Sequence, residues 1–395
     1  MENRRKLLFV VTLAGLSAFG PFVTDMYLPA LPVLPEAFST SPLAVQMSMS
    51  VCMFGLALGQ IFIGPLSDKF GRRMPLLLSM LLFVVATFCC VLASDIYFFI
   101  AMRFFQGIAG AGGIVLSRSI SSDKYSGMDL ARFLALIAAV HSIAPVAAPI
   151  VGGLTLTFMD WRGIFIFLFI LGIFLLLMSC SIEESLEKSR RSALSIFSVF
   201  KLYKNVFLDK VAFMYIVQQA AMSIILFAYI SASPFIFEGI YGLNPVQFGG
   251  IFAANAIAIG VGAVLSAKFR RRRRAVVFGA FGALAGVIVE SILICGGAGA
   301  ASVEIVLLAT MLMYGLAVPA AAAIVLDSQH KNAGTASALL GALPFFLGSL
   351  AAPCTGLGNI KTAFSGIIIF GGILSALLAM VARHYQKKYG PTTAS

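Results

Sequence analysis

Two ionisable side chains, Asp25 and Arg103, lie in runs of residues that are otherwise apolar. Asp25 stands in the stretch TDMYLPALP, after residues 7–23, which carry no charged side chain. An ionisable group within an apolar span is costly and usually faces protein or a water-filled cavity. A carboxylate near a guanidinium stays ionised, whereas a separated and desolvated carboxylate takes up a proton more readily. We therefore hypothesise that Asp25 alternates between a proton and either Arg103 or a bound substrate.

Each of these two residues also has a structural explanation. Asp25 would then cap the end of a helix or lie in interfacial water, and Arg103 would be a buried hydrogen-bond donor. At 1.5 Å per residue, Asp25 lies about three residues, and Arg103 about seven residues, inside the expected outer ends of their spans. The two side chains are therefore predicted at broadly similar depths, which leaves both explanations open.

Other polar groups lie near the middle of apolar spans. His141 is some ten residues into the fifth span, which at 1.5 Å per residue puts it near the middle of the bilayer. Since imidazole titrates near physiological pH, it is a candidate second proton site. The alternative is a neutral histidine that only makes hydrogen bonds. Six further polar residues are predicted either to line a substrate cavity or to form hydrogen bonds between helices. They are Tyr27, Gln106, Gln218, Gln219, Asn255 and Tyr314.

The composition identifies the elements that position these groups. Apolar residues make up 60% of the chain and charged residues 11%, which is typical of an integral membrane protein. A span needs about 20 apolar residues, and twelve such segments predict an all-α membrane fold. They are residues 7–28, 43–64, 75–94, 96–119, 131–158, 163–182, 210–237, 246–267, 275–296, 303–326, 333–357 and 360–383.

The net charge of +12 follows the expected topology. With the N-terminus inside, 25 of the 28 Lys and Arg residues fall on cytoplasmic segments or at the cytoplasmic ends of spans. Arg162 and Lys361 fall outside, and Arg103 falls within a span. This bias orients helices during insertion, so we expect both termini in the cytoplasm, a lipid bilayer as surroundings and no nucleic-acid partner.

The chain divides into two similar halves. LSDKFGRR at 66–73 and LSAKFRRR at 265–272 each follow the second span of a half. Six spans return the chain to the same side, so the halves repeat in parallel orientation. We predict an N-terminal bundle at 1–182, a solvated cytoplasmic linker at 183–209 and a C-terminal bundle at 210–395.

Motifs of nucleotide and hydrolytic chemistry are absent from the sequence. It contains no G-x-x-x-x-G-K-[ST], H-E-x-x-H, G-x-S-x-G or G-x-G-x-x-G, each of which would carry a defined mechanism. The three histidines are scattered and the six cysteines lack metal-ligand spacing. We therefore expect no enzyme, cofactor or metal site, and transport driven by an ion gradient.

Several stretches resemble one family of transporters. They are GPLSDKFGRR at 64–73, RFFQGIAGAGG at 103–113, SRSISSDKYSG at 117–127, IAPVAAPIVGG at 143–153, DWRGIF at 160–165, NAGTASALLGA at 332–342 and TDMYLPALP. Together they are similar to motifs of the Bcr/CflA drug:proton antiporters of the major facilitator superfamily. The resemblance implies two six-helix bundles, alternating access, and export of phenicol-, bicyclomycin- or sulfonamide-like drugs across the bacterial inner membrane by a monomer in exchange for protons.

The resemblance also implies site residues. It supports Asp25 as the proton site, and it implies a charge relay of Asp68, Arg72 and Asp123 in which Asp68 faces the start of the eleventh span near Asn332. The alternative is that these charged residues only orient the helices during insertion into the membrane. The predicted cytoplasmic gating loop comprises Gly64, Asp68, Gly71, Arg72, Arg73 and Asp123. The second copy of this motif, at 265–272, has Ala267 in place of Asp68 and Arg270 in place of Gly71, so no gating loop is assigned there.

The fifth span is predicted to bend. Pro145 and Pro149 remove backbone donors, while Gly152 and Gly153 allow close approach of another helix. Ordinary helix packing explains the same residues. The resemblance leaves a purine nucleoside or sugar transporter of the same fold as an alternative, and a membrane receptor or scaffold is a further class that would bind a ligand without proton-coupled flux.

Overall fold

A computed structural model describes residues 2–191, 203–204, 206–329 and 333–389. Within these residues, twelve helices are long and apolar enough to cross a membrane, which confirms the predicted all-α membrane fold. We number them α1 to α12. Their bounds are Glu2–Asp25, Pro42–Phe70, Arg73–Val91, Ile96–Lys124, Gly127–Thr155, Trp161–Cys180, Lys210–Pro234, Pro245–Ala267, Arg272–Cys295, Ala300–Ser328, Ala333–Cys354 and Ile360–Tyr389.

The chain forms two compact units, Met1–Val199 and Phe200–Ser395. In the first unit, α2 and α3 pack against α4, and α1 packs against α5 and α4. In the second unit, α8 and α9 pack against α10, and α7 packs against α11 and α10. Corresponding helices therefore form the same pairs inside each unit, as expected for a parallel repeat.

The first helix ends earlier than its apolar run. The sequence predicts a span to residue 28, whereas α1 ends at Asp25 and is followed by a 3-10 segment, Leu28–Val33, whose first four residues are buried. Proline lacks a backbone N–H and clashes with the preceding turn, so Pro29 and Pro32 oppose continuation of the α-helix. Asp25 is therefore the last residue of α1 rather than a residue three positions inside the helix.

The seventh helix also changes form at its end. α7 covers Lys210–Pro234 and continues as a π-helical segment, Phe235–Ile240. The ring of Pro234 cannot support a regular helical hydrogen-bond pattern, and single π-helical turns are common at functional sites. The segment carries Glu238, and Tyr241 follows it directly.

Candidate functional site

Asp25 is buried at the C-terminal end of α1, where it is 6% exposed. Its Oδ1 accepts a hydrogen bond of 2.7 Å from the Thr24 hydroxyl. The ion pairs among the described residues do not include Asp25. A location in interfacial water, one of the two structural explanations, does not agree with this burial. A helix C-terminus carries partial negative charge, so Asp25 is not a favourable cap there either.

Arg103 lies on α4 and is fully buried. Its Nη1 donates to the carbonyl of Val23 at 3.1 Å and to Oε1 of Gln106. The guanidinium carbon is 4.2 Å from the ring centroid of Tyr27, within the range of a cation–π interaction. Its Nε and Nη2 make no hydrogen bond with the residues that the structure describes.

Arg103 contacts the end of α1 that carries Asp25, but the two side chains do not form an ion pair. Val23, which accepts from Arg103, is two residues before Asp25. The guanidinium is held by a carbonyl, an amide and an aromatic ring, while the carboxyl is held by Thr24. The similar depth predicted for these two residues agrees with this arrangement, but exchange between them requires a side-chain movement.

Tyr27 and Gln106 belong to the surroundings of Arg103. The Tyr27 hydroxyl lies 3.3 Å from the Ser48 hydroxyl, and Gln106 Nε2 donates to the Thr87 hydroxyl at 2.8 Å. All of these side chains are buried. Ser48 and Thr87 were not singled out from the sequence, because a hydroxyl in an apolar span can satisfy itself on its own helix and so carries little signal.

His141 contacts a different part of α1. Its Nδ1 lies 2.8 Å from the carbonyl of Ser17, and because a carbonyl only accepts, Nδ1 carries the hydrogen of this bond. Ser17 is eight residues before Asp25, about 12 Å along a helix. The predicted second proton site is therefore separate from the first and holds its imidazole in the manner of a hydrogen-bonding histidine.

The fifth helix passes close to Asp25. α5 is helical through Pro145 and Pro149, so the predicted bend is not a break in the helix. A Cβ atom at Gly152 would collide with the carbonyl of Met26, the residue after Asp25. Gly152 therefore allows α5 to touch the end of α1, and Gly153 is buried beside it.

The three predicted relay residues lie together where the loop between α2 and α3 meets the end of α4. Arg72 donates from Nη1 to Asp68 at 2.5 Å and from Nε to Asp123 at 2.9 Å. Nη1 also donates to the Ser67 hydroxyl at 2.6 Å. The side chains of Arg72 and Asp123 are each 9% exposed, so this ion pair is shielded from water and salt. Asn332, the predicted neighbour of Asp68, lies outside the described residues.

Glu184 completes this loop from the segment that follows α6. Its Oε1 accepts from the backbone N–H of Arg72 at 2.8 Å, and its Oε2 from that of Arg73 at 3.3 Å. Arg191 pairs with it at 3.5 Å. Ser185 donates to Asp123 at 2.9 Å. The start of the predicted solvated linker thus packs on the loop, a contact that sequence reasoning missed.

The charges of this loop shift two pKa values. Burial lowers the pKa of Arg72, but hydrogen bonds and the charges of Asp123 and Asp68 outweigh burial and raise it above its usual range. Burial likewise raises the pKa of Glu184, but backbone N–H groups, together with the charge of Arg191, outweigh it and lower that pKa. Both side chains are therefore charged at neutral pH.

The second copy of the loop contains a weaker pair. Arg272, at the start of α9, pairs with Asp327 near the end of α10. Arg72 and Asp123 occupy the corresponding helix ends in the first unit. The second pair is exposed, with side chains 49% and 64% accessible, so it contributes little stability. Its presence was not predicted from the altered motif.

The predicted cavity residues of the second unit make hydrogen bonds between helices. Gln218 donates to Ser375 at 3.2 Å, and Gln219 to the carbonyl of Leu340 at 3.1 Å. The hydroxyls of Tyr314 and Ser223 lie 3.4 Å apart. Asn255 donates to Glu304. These contacts agree with the helix-packing alternative, although Oε1 of both glutamines makes no hydrogen bond within the described structure.

The fold defines a class of membrane proteins that have twelve spans in two repeated six-helix units. Residues 8–353 match the family model of the Major Facilitator Superfamily, and the chain belongs to that superfamily. It is a membrane transporter rather than an enzyme.

Relatives include proteins named for drug resistance. The chain is 34% identical to the uncharacterised transporter YdgK of Bacillus subtilis, over 93% of each chain. It is 30% identical to a bicyclomycin resistance protein homologue of Haemophilus influenzae, over 68% of each. It is 27% identical to a chloramphenicol resistance protein of Pseudomonas aeruginosa, over 67% of this chain and 61% of that one. The resemblance to drug-resistance members of the superfamily is therefore confirmed.

Solved structures share the fold at low identity. A D-xylose-proton symporter has a TM-score of 0.76 at 15% identity, over 97% of this chain and 99% of that one. A bacterial homologue of the lysosomal transporter Spinster has a TM-score of 0.74 at 16% identity, over 98% of each chain. At these identities the likeness shows the fold alone.

Proposed function

We propose that this transporter exports small, largely apolar drugs across the bacterial inner membrane in exchange for protons, and that Asp25 is the coupling acid. The observation that carries the proposal is the position of Asp25. It is buried at the negative end of α1 without an ion-pair partner among the described residues. A carboxyl in such a place changes its proton affinity when a cation or water reaches it.

Movement of α1 supplies the coupling. Arg103 is held at the carbonyl of Val23, so a small shift of this helix end changes the separation of guanidinium and carboxyl. Approach of Arg103 favours release of the proton, and separation favours its uptake. Gly152 places α5 against the same end, so bending of α5 would be transmitted to Asp25.

The drug class rests on the relatives and the composition. Homologues are named for resistance to bicyclomycin and chloramphenicol. A chain with 35 phenylalanines and few charged residues favours amphiphilic drugs of the phenicol, bicyclomycin or sulfonamide kind over sugars. We propose cytoplasmic termini, a functional monomer, no cofactor, and the proton gradient as the source of energy.

The test uses purified protein in liposomes that contain a pH-sensitive dye. Under an imposed proton gradient, chloramphenicol should cause proton movement with wild type and not with Asp25→Asn. Asp95→Asn is the matched control, because Asp95 is an exposed acid that caps α4 and an asparagine preserves the cap. The control should behave as wild type.

Three results would contradict the proposal. Equal proton movement by wild type and Asp25→Asn would remove Asp25 as the coupling acid and make His141 the next candidate. Proton-coupled flux of a purine nucleoside or a sugar, with none for the drugs, would establish the metabolite alternative. Ligand binding without flux would indicate the receptor class.

A further inference from the structure

An open groove of about 610 Å³ lies between the start of α3 and the end of α6. Its walls are mainly apolar, and Met74, Leu78 and Leu177 each expose more than half of their surface. Leu81 also lines the groove, eight residues beyond Arg73 and so about 12 Å along α3. In a membrane-spanning chain, exposed apolar surface of this kind is suited to acyl chains, which are as apolar as leucine. We call this feature the α3–α6 groove.

Two arginines lie at one end of the α3–α6 groove. Arg73 begins α3, Arg191 follows α6 in the chain, and both line the groove. They meet at one carboxylate oxygen. Oε2 of Glu184 accepts from the backbone N–H of Arg73 at 3.3 Å and lies 3.5 Å from Nη2 of Arg191. The headward end of the groove is therefore basic, while its walls are apolar.

Both arginines have donors for a further anion. Nη2 of Arg73 donates to the carbonyl of Cys180 at 3.3 Å, and an arginine has about five N–H donors in all. Nε of Arg191 is buried and makes no hydrogen bond with the residues that the structure describes. A buried donor without an acceptor is costly, so rotation of this side chain toward an anion would be favourable.

The charges of the groove favour an anionic occupant. Arg73 and Arg191 contribute two positive charges, and the ionised carboxylate of Glu184 contributes one negative charge, which leaves one positive charge. Lys69 adds a cation nearby, since its Nζ is 5.5 Å from the ring centroid of Phe70, which lines the groove. A phosphodiester carries one negative charge, and guanidinium groups match the geometry of its oxygens.

The chain's own linker is a poorer match for this charge. Residues 192–202, which follow Arg191, contain Lys201 and no Asp or Glu. They offer apolar side chains for the walls, but they would add a cation to a groove that is already positive. A zwitterionic lipid headgroup would likewise leave the positive charge of the groove without compensation.

We propose that the α3–α6 groove binds one anionic phospholipid, with its phosphodiester at Arg73 and Arg191 and its acyl chains along the apolar walls. In the proposed topology the basic end is cytoplasmic, and basic pockets between helices on that side of a membrane suit such headgroups. The lipid contacts both arginines beside Glu184 and so supports the cap of α3. The inference goes beyond the proposed function, because the site requires neither drug nor proton.

The test is native mass spectrometry of the purified full chain with added phosphatidylglycerol or phosphatidylcholine of the same acyl chains. These lipids differ in the net charge of the headgroup and share the apolar part. Wild type should bind one phosphatidylglycerol at least about fivefold more tightly than phosphatidylcholine. Arg73→Gln and Arg191→Gln should each weaken binding of phosphatidylglycerol by about fivefold, and the double variant by at least about tenfold.

Arg132→Gln combined with Arg383→Gln is the matched control. Both arginines are exposed and lie outside the groove, and their replacement lowers the net charge by the same two units as the double variant. This control should retain the preference for phosphatidylglycerol.

Leu78→Trp tests the apolar wall without a change of charge. The larger ring would fill the groove where Leu78 is exposed, so the bound phosphatidylglycerol should be lost. Thermal unfolding in detergent without lipid identifies any variant that does not fold. Should the arginine variants not fold, Leu78→Trp still decides the question, because an exposed position tolerates a larger side chain.

Two cysteines give an independent readout. Cys180 lines the groove and Cys295 does not, and both are exposed. Phosphatidylglycerol should slow the reaction of Cys180 with a water-soluble maleimide and leave the reaction of Cys295 unchanged. Phosphatidylcholine at the same concentration should protect Cys180 less.

Several outcomes would overturn the assignment. Equal affinity of wild type for both lipids, or equal losses in the arginine variants and the control, would show that the groove does not select an anion. Equal protection of Cys180 by glycerol phosphate would identify a soluble anion as the ligand. Absence of bound lipid on wild type would leave residues 192–202 as the occupant. Because these assays need neither drug nor Asp25, their failure is distinct from failure of the transport proposal.

Discussion

The carboxylate of Glu184 covers Gly71 and accepts hydrogen bonds from the next two backbone N–H groups, those of Arg72 at 2.8 Å and Arg73 at 3.3 Å. It thereby caps the N-terminus of α3, where negative charge is stabilised by the helix dipole. A residue that follows α6 thus holds the turn between α2 and α3. The conformation of this loop depends on both segments.

Gly71→Ala should disrupt this turn. Gly71 has φ +94°, which residues with a Cβ rarely adopt, and the new Cβ would collide with Glu184. We expect a loss of about 1–3 kcal/mol in the free energy of unfolding, measured by thermal and denaturant unfolding in detergent.

Gly64→Ala is the matched control from the same motif. Gly64 lies within α2, and its Cβ would lie 3.7 Å from Val115, an ordinary contact. Replacing a helical glycine with alanine gains up to about 1 kcal/mol. Equal losses at both positions would show that the motif is sensitive to any added volume, rather than to the conformation of Gly71.

Glu184→Gln should lower stability by about 0.5 kcal/mol at pH 7, since it removes a partly exposed negative charge from a helix N-terminus. The pKa of Glu184 is lowered in the folded protein from its usual value of 4.5. A lowered folded pKa gives stability that is present above the unfolded pKa and lost as pH falls through the folded pKa. The difference between wild type and variant should therefore be complete at pH 7, begin to shrink as pH falls to the usual value of 4.5, and disappear below the lowered pKa of the folded protein.

Thermal unfolding across this pH range measures the effect. Glu187→Gln, at an exposed glutamate three residues further on, is the control and should show little difference at any pH. A difference for Glu184→Gln that grows as the solution becomes more acidic would reverse the sign and contradict the capping role.

Arg72→Lys should be costly although it preserves charge. A lysine ammonium cannot reproduce the planar geometry by which Arg72 reaches Ser67, Asp68 and Asp123 together. Hydrogen bonds to charged groups contribute about 1.5–3 kcal/mol each, so we expect a loss of about 2 kcal/mol or more and slower transport. The readouts are unfolding in detergent and the initial rate of flux in liposomes.

Arg73→Lys provides the comparison within the same motif. Arg73 donates to the carbonyl of Cys180 at 3.3 Å in an exposed position, so its replacement should change stability by less than about 1 kcal/mol. A double-mutant cycle of Arg72→Lys with Asp123→Asn should give a coupling of about 1–3 kcal/mol. A coupling near zero would show that the buried pair does not act as a unit.

The free-energy cost of burying a charged group explains which site residues the sequence could predict. Asp25 and Arg103 stand out because each interrupts an apolar run, and both prove to be buried at one end of α1. The helix end at Asp25 was missed because hydropathy continues through the 3-10 segment, in which prolines change the backbone without changing polarity. Hydropathy records burial, whereas backbone form depends on individual residues.

Tertiary contacts of the site residues were harder to predict from the sequence. Glu184 lies in a polar segment whose composition is typical of solvated linkers, and only the folded chain places it at the start of α3. Thr87 is one hydroxyl within an apolar span, so its bond to Gln106 carries no distinct pattern. Glu304, which accepts from Asn255, is different, since it interrupts an apolar run as Asp25 does and the same cost argument applied to it.

Substitutions at Tyr27 should separate the two interactions that hold Arg103 in place. Tyr27→Phe preserves the ring below the guanidinium and removes the hydroxyl with its contact to Ser48, so it should cost about 1 kcal/mol of unfolding free energy or less. Tyr27→Leu also removes the cation–π interaction, which contributes about 2 kcal/mol when it is desolvated. The leucine variant should therefore unfold more readily than the phenylalanine variant, and thermal unfolding in detergent measures the difference. Equal losses would mean that the hydroxyl, rather than the ring, supports Arg103, and that the guanidinium beside Asp25 depends mainly on Val23 and Gln106.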